Sequence, residues 1–411
     1  MKKFSLFFII FCVQPAFAQN DSWCDTLNAS IIYPQEKLCE IVKKASRRFN
    51  EKYCHEALAN IIYSKEISCM NQCREFIAVN GLLYLWNPGS KVRKRYFDDR
   101  GRLDHGFLPI TTMRSSPWAA ADDVELEESS IRSPSLLTGF SNHPFVPDNI
   151  MNFKRMIEMH SPINKYQITN FKYYFVHSTN EFICIEFETR DECFPNQCKL
   201  YGKGRMTLRS DNYSVVQIEL VDFQETFCCY LYRKEIFPLA TRHRLVVQYQ
   251  EDEKGTILPG DICLEVEWPG ELEARVNESH YAVKRNSRRQ PYKVGLCERQ
   301  YVHFVRLERP TIDRKEIRNN ISYANGFYTF FLAKYDSSYW NTISMPWLNM
   351  TKIRRDLQIN GETLHQQAVR QDGNGMYYTS FFEELDIEKA HKIYVRKKNK
   401  LKMLCSNIMT E

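Results

Sequence analysis

The chain has 411 residues, 43% of them apolar and 13% aromatic, enough to fill a sizeable core and too apolar for a disordered segment. Its fifteen glycines are too few for repeats built on glycine turns, and its net charge of +6 is a mild excess. The basic clusters Val92 to Arg102, Lys284 to Lys293 and Tyr394 to Lys402 therefore read as solvated faces.

The chain opens with Lys2 and Lys3, a short apolar run from Phe4 to Val13, and the small-residue site Ala16-Phe17-Ala18. This is the pattern of a secretory signal over residues 1–18, cleaved after Ala18. The run is shorter than the ~20 residues a membrane helix needs. Removing the two lysines brings the charge to +4, and export makes nucleic acid an improbable partner. It also permits disulfides among the cysteines that remain, although a chain this long does not need them as a scaffold. We expect one or two local bridges and a majority of core thiols. The loop bridge expected is Cys193 to Cys198, across the turn FPNQ.

Residues 19–150 hold a helix, a strand pair and long loops. Glu36 to Phe49 is helical, with Leu38, Ile41, Val42, Ala45 and Phe49 on one stripe. ALANIIYSKEISC and REFIAVNGLLYLW read as two strands, and residues 87–150, rich in Pro, Ser, Asp and Gly, as surface loops with short ordered pieces. Asn149 to His160 suits a short helix with Ile150, Phe153 and Ile157 on one face.

Residues 151–345 are the sheet region. YQITNFKYYFVHS, EFICIEFET, GKGRMTLRS, YSVVQIELVDF, RLVVQYQED and DICLEVEW are strands between polar turns, followed by YVHFVRLER and a further segment after Asn325-Gly326. Val216, Ile218 and Leu220 alternate with Val215, Gln217 and Glu219, and Ile262, Leu264, Val266 and Trp268 with Cys263, Glu265 and Glu267. That period implies an antiparallel sheet, wet on one side, whose apolar face packs on a helix or holds an apolar ligand. Residues 346–411 combine a helix near Lys352 to Leu357 with a basic tail.

Chemistry is sparse. No metalloprotease, serine-hydrolase, Walker or Cys-x-x-Cys signature is present, so no catalytic residue, cofactor or metal ligand is assigned. Glu265 with Glu267, and Glu186 with Glu188, are carboxylate pairs on strand faces, and they read as solvated. The Gly202-x-Gly204 pair is followed by strand rather than by a helix start, so it reads as a bulge or bend and not as a phosphate loop.

Three stretches in order carry a resemblance: IVKKASRRFNEKY with the strand pair ending NGLLYLW; YYFVHSTNEFICIEFETR followed by LYGKGRMTLRSDNYSVVQIELVDF; and AKYDSSYWNTISMPW, from Ala333 to Trp347. The order resembles exported Bacteroidota envelope proteins named for a carboxypeptidase-regulatory-like domain. That small sandwich domain is missing here, and the late motif lacks the Tyr-Asn of the family. The resemblance implies no peptidase. It implies an α+β fold: a large, curved, half-barrel-like antiparallel sheet, similar to lipoprotein carriers, with an N-terminal helix and a few short helices. It further implies a non-enzymatic protein of the periplasm or outer membrane. Its partners would be a lipid-like ligand or another envelope protein, with peripheral membrane association. The alternatives are an envelope-acting hydrolase using a carboxylate pair or thiol, and a pure interaction module of a surface complex.

Overall fold

The structure is a computed structural model. It describes residues 33–54, 56–69, 71–86, 105–115, 150, 153–190, 200–225, 242–268, 271–272, 292–293, 296–308, 313, 315–317, 333–358, 361–374 and 387–404. The expected signal sequence, Cys193, Cys198 and the strand after Asn325-Gly326 lie outside these residues, as does the side chain of Trp268.

Helix α1 spans Gln35–Lys52 and presents the expected stripe of Leu38, Ile41, Val42, Ala45 and Phe49, all buried. Strands β1 (Glu56–Cys69), β2 (Gln72–Trp86) and β3 (His105–Ser115) follow, then helix α2 (Phe153–His160). Next come β4 (Phe171–Ser178), β5 (Phe182–Thr189), β6 (Leu200–Arg209), β7 (Val215–Glu225), β8 (Arg242–Glu251) and β9 (Ile257–Trp268). The short pair β10 (Glu271–Leu272) and β11 (Tyr292–Lys293) leads to β12 (Leu296–Glu308). Among the described residues four helices follow: α3 (Ser337–Thr342), α4 (Met350–Asp356), α5 (Leu364–Asn374) and α6 (Ile387–Leu404).

Ten of these strands form one antiparallel sheet in the order β3-β2-β1-β12-β9-β8-β7-β6-β5-β4. The early strands β1 to β3 join the later ones through β12, which pairs with both β1 and β9. The sheet is open, and each of its two edges is met by a group that is not a strand. At β4 the side-chain amide of Gln35 donates to the carbonyl of Tyr173 and accepts its N–H at 3.2 Å, imitating a strand partner. At β3 the carbonyl of Lys334 accepts from the N–H of Thr112 at 3.2 Å and from the hydroxyl of Thr111 at 2.9 Å.

One face, here the inner face, is apolar along its length. Ile61, Tyr63, Ile67, Phe187, Met206, Ile218, Leu220, Leu264 and Val266 share one core with the α1 stripe and with Phe153, Met156 and Ile157 of α2. The opposite, outer face is divided. Over β1 to β3 it is covered: α3, α4 and α5 bury Ile62, Phe76, Ala78 and Met113, while Tyr394 and Leu401 of α6 pack near Leu58, Leu82 and Leu108. Burial on both faces explains why β1 is buried almost continuously and not at alternate positions.

Three sequence expectations need correction. Residues 105–115, expected within surface loops holding only short ordered pieces, are the eleven-residue strand β3; Pro109 and the polar pair Thr111-Thr112 hide its pattern, and that pair bonds Lys334 and Trp340 beyond the sheet edge. The basic tail forms α6, held through the Tyr394 hydroxyl donating to the carbonyl of Pro109 at 2.8 Å. Val216 does not point inward; Val215 does, at 3% exposure. The register steps from Thr207–Gln217 to Leu208–Val215, so Val216 bulges out and the inside–outside alternation inverts there.

The Gly-x-Gly pair lies in β6, as expected, and its glycines are required by close approach. A Cβ on Gly202 would sit 2.1 Å from the carbonyl oxygen of His160, where α2 ends against the sheet. A Cβ on Gly204 would sit 1.9 Å from the carbonyl oxygen of Glu219 and 2.9 Å from the Phe187 ring. The register also shifts between Tyr201 and Lys203, and the Thr189 hydroxyl donates to the Gly202 carbonyl at 2.9 Å while accepting its N–H at 2.8 Å. Gly204→Ala forces backbone apart in a filled core. The expected cost is about 1–3 kcal/mol, read as a lower urea midpoint at unchanged slope.

Candidate functional site

The inner face is the largest continuous apolar surface of the described molecule, and a buried polar cluster interrupts it where β1 meets β12. Ile61, Tyr63, Lys65 and Ile67 occupy successive inward positions of β1, so a lysine stands where the pattern calls for an apolar residue. Opposite on β12, Glu298 and Gln300 precede Val302 on the same face. Lys65 Nζ lies 3.4 Å from Glu298 Oε1, with side chains 2% and 0% exposed. Gln300 donates to Glu298 at 2.7 Å and accepts from the Tyr63 hydroxyl at 3.4 Å and the Ile150 N–H at 3.3 Å. Burial, with Glu298 and Glu75 nearby, holds the Tyr63 phenol well above its ordinary value, so it remains a hydrogen-bond donor. Sequence reasoning did not single out Lys65, Glu298 or Gln300. The available signal was a charge in phase with Ile61, Tyr63 and Ile67.

The apolar positions expected to form the ligand face divide as follows. Ile218, Leu220, Leu264 and Val266 all lie in the inner core and pack with α1 and α2; Val216 does not. Of the two options held open for this face, helix packing is the one observed.

The outer face from β12 to β5 carries the carboxylates. Glu66, Arg299, Glu265 and Arg244 follow one another in register across β1, β12, β9 and β8, and Glu219, Arg205 and Glu186 continue the row across β7, β6 and β5. Arg299 reaches Glu265 at 2.6 Å, Arg244 reaches Glu219 at 2.7 Å and Glu265 at 3.9 Å, and Arg205 reaches Glu186 at 2.7 Å. The sign alternates strand by strand, which favours this register over its neighbours. Each pair is partly solvated and individually worth little. Glu265 and Glu186 thus serve as counterions to arginine.

Glu265, Glu267 and Cys297 bring three potential ligand atoms within 4.8 Å of one another, but Glu265 is already committed to two guanidinium groups. Beyond this row, His303 Nδ1 lies 2.9 Å from Asp261 Oδ1, and its ring stacks on Trp347 at 4.1 Å, pinning the segment before α4 to β12.

Among the described residues, Cys39, Cys54, Cys73, Cys184, Cys263 and Cys297 are free thiols, four of them buried. Burial and the neighbouring Glu265 push Cys263 up to about 12, against the pull of the Tyr301 hydrogen bond and of Arg244 and Arg299. Burial likewise pushes Cys297 up to about 12, with Glu265, Glu267 and Glu66 adding to it and Arg299 opposing. Neither is an activated nucleophile.

Two outcomes follow. Lys65→Met removes the ion-pair partner of a fully buried carboxylate and is expected to cost about 3–5 kcal/mol in urea unfolding. Cys263 and Cys297 are expected to resist iodoacetamide at pH 8 in the folded protein, carrying about a thousandfold less thiolate than an ordinary cysteine, and to react on denaturation. The sign of their effect on stability follows from the upward shift. The unfolded thiol ionises near its ordinary 9.0 while the folded one holds its proton. Their contribution is therefore complete below about pH 9 and is lost as pH rises toward 12, which alkaline melts would show.

No protein-family model and no curated protein matches the chain. Solved structures of similar shape include a DUF1329 family protein from Desulfovibrio piger, at 9% identity and a TM-score of 0.27, covering 68% of this chain and 95% of that one. A LolA superfamily protein from Nitrosomonas europaea has 8% identity and a TM-score of 0.22, covering 69% and 97% respectively. A structure describing lipid–protein interactions in lipovitellin has 9% identity and a TM-score of 0.21, covering 63% of this chain and 26% of that one. None of these likenesses assigns the chain to a family.

Proposed function

We propose that this is an exported, non-enzymatic envelope protein, periplasmic or associated with the outer membrane, that binds a lipid-like ligand against the inner face of its sheet. The observation that carries the reading is the cover of that face. An open ten-stranded sheet presents an apolar surface, and an amphipathic helix, not a second sheet, lies on it. The stripe of Leu38, Ile41, Val42, Ala45 and Phe49 is a surface that acyl chains can replace.

Among the described residues, polar attachments of α1 include one from the fully buried Ser46 and others nearer the surface. Ser46 donates to the Ile163 carbonyl at 2.8 Å, Asn50 to the same carbonyl at 3.1 Å, Arg48 pairs with Glu251, and Gln35 meets β4. Swinging α1 away would expose a face floored by Met206 and walled by Met156 of α2, both deformable, with Lys65 and Glu298 on the same face to meet a polar headgroup. The hydrolase alternative is less favoured, because the carboxylates at Glu265 and Glu186 are tied to arginines and burial pushes up the thiols of Cys73, Cys184, Cys263 and Cys297. Among the described residues no helix is long and apolar enough to cross a membrane.

Native mass spectrometry of protein purified from its own envelope is the test. A co-purifying lipid mass, removed by extraction and restored on reloading, is the expected result. Protein that is clean as isolated and takes up neither fatty acid, lysophospholipid nor phospholipid would refute the reading.

A further inference from the structure

A cavity lies on the side of the sheet opposite the inner face, within the helical layer over β3. It has a volume of about 400 Å³ and is bounded by β3, α3, α4, α5 and the segment between α3 and α4. That is within the range of small-molecule sites, roughly 300–1,000 Å³.

Its lining is divided by chemistry. Met113, Trp340, Met345 and Leu364 are all buried and form an apolar floor. The indole of Trp340 is held in place by its N–H, which donates to Thr111 at 3.1 Å. Two of the floor residues are methionines, and Met350 also lines the cavity, so the wall can adapt to an irregular apolar group. At the rim stand Asn341, Ser344, Arg354 and His365.

The charge of this lining is one-sided. No carboxylate lines the cavity among the described residues, and Arg354 has no ion-pair partner among them. The nearest acid in sequence, Asp356, is already occupied: it takes Lys352 at 2.7 Å, Arg355 at 3.0 Å and the Cys73 N–H at 3.0 Å. The imidazole of His365 contacts the Tyr335 hydroxyl through Nδ1. Burial, with Arg354 alongside, holds its ionisation below the ordinary value, so the ring is neutral at pH 7. A neutral imidazole carries one N–H, on Nε2 where the Tyr335 hydroxyl donates to Nδ1 and on Nδ1 where it accepts. The rim therefore offers a free guanidinium fork, an imidazole, a hydroxyl and a carboxamide above an apolar floor.

We infer that this cavity binds a small amphiphilic anion, its carboxylate or phosphate head held by Arg354 and His365 and its short apolar tail on the floor of Met113, Trp340, Met345 and Leu364. A guanidinium pairs with such a head in bidentate fashion, and the apolar tail supplies the affinity that an exposed ion pair lacks. The site is independent of the ligand proposed for the inner face.

The test is methyl NMR of the purified chain carrying methyl-labelled methionine, titrated with octanoate and, separately, octyl phosphate. The Met113, Met345 and Met350 methyl signals are expected to shift saturably with at least one of the two, and the tighter one identifies the head. Acetate, which lacks the tail, is expected to bind at least about tenfold more weakly, and Arg354→Gln to lower affinity for the better probe about tenfold without changing the melting temperature. Arg354 is exposed, so this variant folds as the parent does. Equal response to acetate and the long-chain probes would overturn the inference, as would unchanged affinity in Arg354→Gln. So would shifts confined to Met156 and Met206, which line the inner face.

Discussion

Ten antiparallel strands laid side by side present one apolar face that cannot be left in water, and the remaining elements are placed to meet that demand. The N-terminal helix lies on it with its five-residue stripe, and α2 adds Phe153, Met156 and Ile157. The close contact of α2 with β6 is possible only because position 202 has no side chain. The same demand explains why the open edges are finished with a glutamine amide at β4 and a backbone carbonyl at β3. Neither group extends the sheet, so the apolar area does not grow.

The two faces are treated differently because the helices cover them unequally. Over β1 to β3 both faces are covered, and the described strand residues there are buried almost throughout. From β12 to β5 the outer face is wet and carries alternating arginine and glutamate from strand to strand. Such a row adds little stability pair by pair. Its consequence is specificity, because a slip of one residue would turn every charge into the core. His303, stacked on Trp347 and paired with Asp261, marks the boundary between these two regimes.

Within the inner face, Lys65 and Glu298 stand against the general rule that a core excludes charge. A pair with both partners at 2% exposure or less is costly to bury and costlier still to halve. Its position on β1 and β12 is also the seam where the early strands join the later ones. Complementary charges at that seam oppose mispairing of β1 with β12.

Much of this architecture was legible in the chain. The stripe of α1, the strands with period two and the strand character of Gly202-x-Gly204 depend on local pattern, which follows from 3.6-residue and two-residue repeats alone. What pattern could not supply was decided by contacts between distant segments. Val215 rather than Val216 faces inward because of a bulge set by pairing with β6. Residues 105–115 form a strand because β2 offers an edge and Lys334 caps the other side. Lys65 is tolerated because Glu298, more than two hundred residues later, lies across the register. The cavity below Arg354 exists because three helices and β3 converge there, each contributing one or a few lining residues. The amino-acid sequence by itself determined which segments would be amphipathic and with which period, since that is a property of each segment. Which faces would meet, and which polar groups would be buried together, only the tertiary structure decided, because those outcomes depend on pairings no local pattern encodes.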